Sequence, residues 1–126
     1  MSNCNLKIKN IPIGDLVYDE YLRVNNVAFI DTKDPKFLIF LKDVITAFFF
    51  WDAKLDGSVK SLIISHSVYL IGLPARIAIH KNIPVYNISL NSVYFLSKKN
   101  ITKFTGFDSY PLIFQKIKNN FHKNIL

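Results

Sequence analysis

Glycine is scarce in this chain, with 4 in 126 residues, and cysteine, methionine and tryptophan occur once each. The glycines stand too far apart for GxGxxG or GxxxxGK[ST], and no serine sits in GxSxG. Phosphate loops and the hydrolase nucleophile elbow are therefore excluded in their usual forms. A single cysteine, Cys4, excludes an internal disulfide and any multi-cysteine metal site, and suits a reducing compartment. His66, His80 and His122 are too widely separated for a metal-ligand spacing. No cofactor or metal is expected. The first ten residues lack the apolar centre of a signal peptide. The longest apolar runs, such as Val44 to Trp51, fall well short of the roughly 20 residues that cross a bilayer. A cytoplasmic, soluble protein is the expectation.

Acidic residues are also missing from one half. Residues 1–58 carry 7 basic and 8 acidic side chains; residues 59–126 carry 9 basic side chains and one acid, Asp108. The net charge of +7 thus resides in the second half, which should attract anions such as the phosphates of a nucleotide or an acidic glycan. Solubility with an acidic partner domain would explain the same charge. What the chain has in abundance is apolar material: half of its residues are hydrophobic, and 11 are Phe. That suffices for a core in one domain spanning residues 1–126.

Periodicity divides the chain into elements. Asn5 to Ile13 alternates like a strand or hairpin, ended by Gly14-Asp15. Asp15 is placed to cap a helix running through Arg23. Val27 to Ile30 is a short apolar run with strand character. Asp34-Pro35 opens the clearest helix, with Phe37, Leu41, Val44, Phe48, Trp51 and Leu55 recurring at helical spacing and Asp56-Gly57 as the stop. So apolar a helix is expected to be mostly buried or to meet a partner. Val59 to Ser65 reads as a strand whose near-continuous apolar run suits a parallel sheet covered on both faces. Gly72 and Pro74 start a helix that ends at His80-Lys81-Asn82, and Ile83 to Ile88 is the next strand. Strand, helix and strand make a βαβ unit. Ser92 to Leu96 and Ile101 to Phe107 are short strand candidates, and Tyr110-Pro111 begins a last helix with Ile113, Ile117 and Phe121 four apart.

The polar Ser65-His66-Ser67 leaves the first of the paired strands at its carboxyl end, where ligands bind in open α/β sheets. Asn87, Ser89 and Asn91 leave the second strand beside it, and Tyr69 offers a ring or a phenol. These residues either hold an anionic or hydroxyl-rich ligand or only cap the helix and satisfy loop backbone. Asp19 and Glu20 read as a solvated helix face, and Arg23 and Arg76 as partners of Asp15, Asp19 or another acid or as a phosphate clamp.

The stretches IPIGDLVYDEYLR and SLIISHSVYLIGLPARIAIHKNIPVYNISLNSVYFLSKKN resemble bacterial surface-carbohydrate proteins of the capsule and lipopolysaccharide type, over roughly Ile11 to Phe107. These are glycosyltransferase-like proteins with two Rossmann-like halves. The resemblance implies an α/β, Rossmann-like three-layer domain with a mostly parallel sheet, matching the amino-terminal, acceptor-binding half. The donor half would come from a second Rossmann-like domain or a partner chain. By position, Gly14, Asp15, His66, Ser67 and Tyr69 would face the interdomain cleft. His66 or Asp15 would be the catalytic base, with Gly14, Ser65, Ser67, Tyr69, Asn87 and Ser89 binding a glycan acceptor or nucleotide sugar.

Two other classes compete. The basic half, with Lys116, Lys118 and Lys123 on the last helix, would suit a non-enzymatic module docking on an acidic partner or on the inner membrane surface. No nucleic-acid recognition motif accompanies it. A small hydrolase is disfavoured, because Ser65, His66 and Ser67 are strand neighbours that point to alternate faces. The many Phe and the uncovered sheet edges also suit a homo-oligomer.

Overall fold

The computed structural model describes residues 5–89 and 92–101 and, apart from them, Gln115. The expected last helix apart from Gln115, His122, Asn91, and the strand candidate beyond Ile101 therefore lie outside the described residues. The chain opens with a hairpin of β1 (Lys7–Ile8) and β2 (Ile11–Pro12), with Ile8 opposite Ile11. Lys9 and Asn10 between them both have positive φ, 50° and 64°. That is the two-residue hairpin whose twist matches its strands. The amides of Ile13 and Gly14 then both donate to the Leu6 carbonyl, at 3.0 and 3.1 Å, fixing where the first helix starts.

Helix α1 (Gly14–Asn25) buries Leu16, Val17, Glu20 and Tyr21. Ile13 holds the capping position and makes no side-chain cap, so Asp15 lies inside the first turn rather than at the cap. Helix α2 (Pro35–Lys54) begins as its sequence indicates. The Asp34 carboxylate accepts from the Lys36 amide at 2.9 Å, and Pro35 occupies the first turn, where no N–H is needed. Only one side of α2 is covered: Phe37, Val44 and Phe48 are buried, whereas Leu38, Ile39, Ile45, Phe49 and Phe50 are exposed. Between the two helices, Val27 to Ile30 forms no strand. Asp52 on α2 ties the elements together, pairing with Lys9 of the hairpin turn at 2.6 Å and with Lys81 at 2.9 Å.

The main sheet has the order β3 (Leu62–Ile64), β4 (Val85–Ser89), β5 (Ser92–Leu96). β3 runs parallel to β4, and β5 antiparallel to it, so the sheet is small and mixed. Between β3 and β4 come a 3₁₀ turn (Tyr69–Gly72) and α3 (Leu73–His80), completing the βαβ unit. α3 ends in a Schellman motif. Asn82 takes a left-handed φ of 60°, its amide reaches the Ile79 carbonyl, and the Ile83 amide reaches Ala78 at 2.9 Å. This reversal delivers the chain into β4 beside β3.

The core lies between α3, the inner sheet face and the two long helices. Val85, Leu96, Ile77, Leu73, Phe48 and Val44 are almost wholly buried. Each such side chain contributes about 1.5–3 kcal/mol by leaving water. The expectation that β3 is covered on both faces is not met: Ile63 is 62% exposed. The reason is the alternation of the pleat, which turns Ile63, Tyr86 and Phe95 away from α3 together. The architecture is α/β, with one face of the sheet layered by helix.

Candidate functional site

The parallel register sets Ile64 opposite Asn87. Ser65 and His66 therefore leave β3 alongside the last residues of β4, at the carboxyl edge. Both are exposed, and His66 Nδ1 lies 3.0 Å from Ser65 Oγ. Ser67 turns inward and is buried. Asn87 is buried as well, on the face shared with Val85, so Ser67 and Asn87 support the rim from beneath rather than line it. Ser89 ends β4 at the same edge.

After Ser67 the chain folds back tightly. A Cβ on Gly72 would stand 2.4 Å from the Ser67 carbonyl oxygen, so only glycine admits this approach. Tyr69 within the loop takes a positive φ of 53°, a strained conformation for an aromatic residue. It is held by α1. The Glu20 carboxylate accepts from the Leu70 amide at 3.3 Å, and the Arg23 guanidinium lies over the Tyr69 ring, 5.0 Å from its centre. Arg23 also pairs with Glu20. Glu20 is thus a buried anchor for the Ser-His-Ser loop rather than part of a solvated face. Its pattern of spacing with Leu16 and Val17 on one helix face was the available signal.

At the start of α1, the Asp15 carboxylate receives two nitrogens of Arg76 from α3. The same guanidinium donates to the Pro12 carbonyl at 2.7 Å. Arg76 is buried, and its Nε has no hydrogen-bond partner among the described residues. Burial pushes the Asp15 carboxyl up, but the hydrogen bonds and charge of Arg76 outweigh this and hold it below the ordinary aspartate value. Such a carboxylate accepts hydrogen bonds readily but is a weak base. Asp19, one turn on, is raised by burial and by the charge of Asp15, against the opposing pull of Arg76. Gly14 is buried at the beginning of the helix.

The structure so brings α1 and the Ser-His-Ser loop together through Glu20, Arg23 and Tyr69, with Asp15 anchored to the helix that follows. Two cavities lie at the other edge of the sheet. One, about 380 Å³, is lined by residues including Asp56, Lys60, Lys81 and Pro84; the other, about 320 Å³, by Ile79, Pro84, Phe95 and Lys98 among others. Neither includes a residue of the rim. Among the described residues no group of three His, Cys, Asp or Glu gathers to hold a metal ion. Among the same residues, no helix is long and apolar enough to cross a membrane. No protein-family model, curated protein or solved structure matches this chain.

Proposed function

We propose that this chain is a Rossmann-like binding domain of a glycosyltransferase-like protein of bacterial surface-polysaccharide assembly, acting in the cytoplasm. The rim at the carboxyl edge of β3 and β4 holds a glycan acceptor or a nucleotide sugar. The observation that carries the reading is the parallel Ile64–Asn87 pairing, which puts exposed Ser65 and His66 at a strand-exit edge flanked by α1. The chemistry of that edge suits hydroxyl-rich ligands. It offers an imidazole, a serine hydroxyl and a tyrosine ring, with Asp15 and Asp19 exposed on the helix that anchors Tyr69. In a complete transferase His66 is the better candidate for the base, because Asp15 is engaged by Arg76 and held acidic. The donor-binding half is supplied by a second domain or a partner chain.

Calorimetric titration with UDP-glucose and with short lipopolysaccharide oligosaccharides tests this. Binding of one of them, weakened about tenfold or more by His66→Ala, supports the reading; that loss corresponds to one or two polar contacts. Equal affinity of the variant removes His66 from the site. The outer strip of α2, with Leu38, Ile39, Phe49 and Phe50 exposed, favours a second reading as an interaction module for another protein or an anionic membrane. Flotation with anionic liposomes, abolished by high salt, would favour that reading over the first.

A further inference from the structure

The solvent side of α2 has a pattern of its own. Leu38, Lys42, Thr46 and Phe49 recur at three or four residues, with Ile39 and Phe50 beside them, so all six share one strip opposite the buried Phe37, Val44 and Phe48. All six are exposed. The strip is apolar at both ends and polar only in the middle. Leu38 and Ile39 form one band; Phe49 and Phe50, eleven residues on, form the other. Eleven residues are three helical turns, which returns the second band to the same side about 16 Å further along.

We propose that this strip pairs with the same strip of a second copy, antiparallel about a two-fold axis near position 44. The strip is self-complementary in that arrangement. Leu38 meets Phe49 of the second copy and Ile39 meets its Phe50, each contact occurring twice, as an isologous interface requires. Lys42 falls opposite Thr46 of the second copy. The Thr46 hydroxyl already donates to the Lys42 carbonyl of its own helix at 2.9 Å, so its oxygen is left to accept. Helical side chains lean toward the amino terminus, so the two Lys42 ammonium groups diverge from the axis. A parallel pairing would set them side by side. The area is also sufficient. Leu38, Ile39, Phe49 and Phe50 are 53, 64, 49 and 53% exposed. At roughly 200 Å² for a large side chain, these four and Ile45 offer about 500 Å² per copy. The pair would bury about 1,000 Å², the lower bound of a specific interface, so the dimer is weak and depends on concentration. The pairing does not involve the strand-exit rim and stands apart from its ligand.

Sedimentation velocity of the full chain over a range of concentrations tests the pairing. The mass should rise from that of the 14.5 kDa monomer toward twice that value. Ile39→Asp should weaken the association about tenfold or more, by placing a charge in each apolar contact. Circular dichroism verifies that this variant stays folded. Cross-linking fixes the geometry independently, on a Cys4→Ser background that lacks the only native thiol. Within one helix, cysteines at 38 and 49 are about 16 Å apart and cannot join. Oxidation of the Leu38→Cys/Phe49→Cys chain should therefore give a covalent dimer. Leu38→Cys alone should not, since its counterpart would lie about 18 Å away along the paired helices. A monomer at every concentration overturns the proposal. So does association unchanged by Ile39→Asp, which would put the contact elsewhere, or a dimer cross-linked by Leu38→Cys alone, which would make the helices parallel. Flotation of the monomer on anionic liposomes, lost in Ile39→Asp and without any dimer in solution, would assign the strip to a membrane instead.

Discussion

Arg76 and Asp15 form an ion pair whose two halves sit in different media. The Arg76 side chain is 3% exposed, and the Asp15 side chain 51%. The pair joins the first turn of α1 to α3, and a third bond from Arg76 to the Pro12 carbonyl locks the hairpin to the same point. This junction sets where α1 lies relative to the strand exits.

The asymmetry gives unequal costs. Asp15→Ala strands a buried guanidinium, and the expected loss of stability is about 3 kcal/mol, at the low end for an uncompensated buried charge. Arg76→Met leaves Asp15 to water and keeps an apolar stem in the core, with an expected loss of about 1–2 kcal/mol. Urea denaturation of both variants measures the difference. Equal losses would mean that the guanidinium finds water or another partner.

The pH dependence follows from the same pair. Asp15 titrates below its ordinary value, so its contribution is fully present above about pH 4 and is lost as pH falls through the lowered folded value. Asp19 is raised and has the opposite sign: its ionisation costs stability as pH rises. Arg76 lowers both carboxyls. In Arg76→Met, carbon-detected NMR should find Asp15 and Asp19 both titrating higher than in the native chain. Movement of only one would separate Asp19 from this cluster.

Gly72→Ala tests the tight return of the Ser-His-Ser loop. The new methyl would meet the Ser67 backbone, which cannot swing aside as a side chain can. A loss of about 1–3 kcal/mol is expected, the usual cost of overpacking. Gly57→Ala, with nothing within 4 Å, is the control and should change little. Similar melting of the two variants would show that the loop is loose.

Much of this was legible in the residues. Asp34-Pro35 marks its helix because cap and first turn are local chemistry, and the βαβ unit is visible because a helix-forming segment separates two apolar runs. The strand exit at Ser65-His66 follows from the same pattern. Long-range facts were less visible. An apolar run such as Leu62 to Ile64 looks the same whether one face is covered or two, so the exposure of Ile63 could not be read from it. Acidic and basic residues named in advance as partners gave the Asp15–Arg76 pair as one option among several, without its burial. Glu20 looked like surface because a carboxylate normally is; its bond to the Leu70 amide depends on the packing of α1 against a loop fifty residues away.

The proposed role of the strand-exit rim is tested most directly by amide chemical-shift mapping during titration with UDP-glucose and lipopolysaccharide oligosaccharides. Shifts concentrated at 65–70 and 87–89, with α1 responding through Arg23 and Glu20, are the expected result. Shifts confined to the cavities around Lys60 and Lys98, or none with any of these sugars, would contradict it.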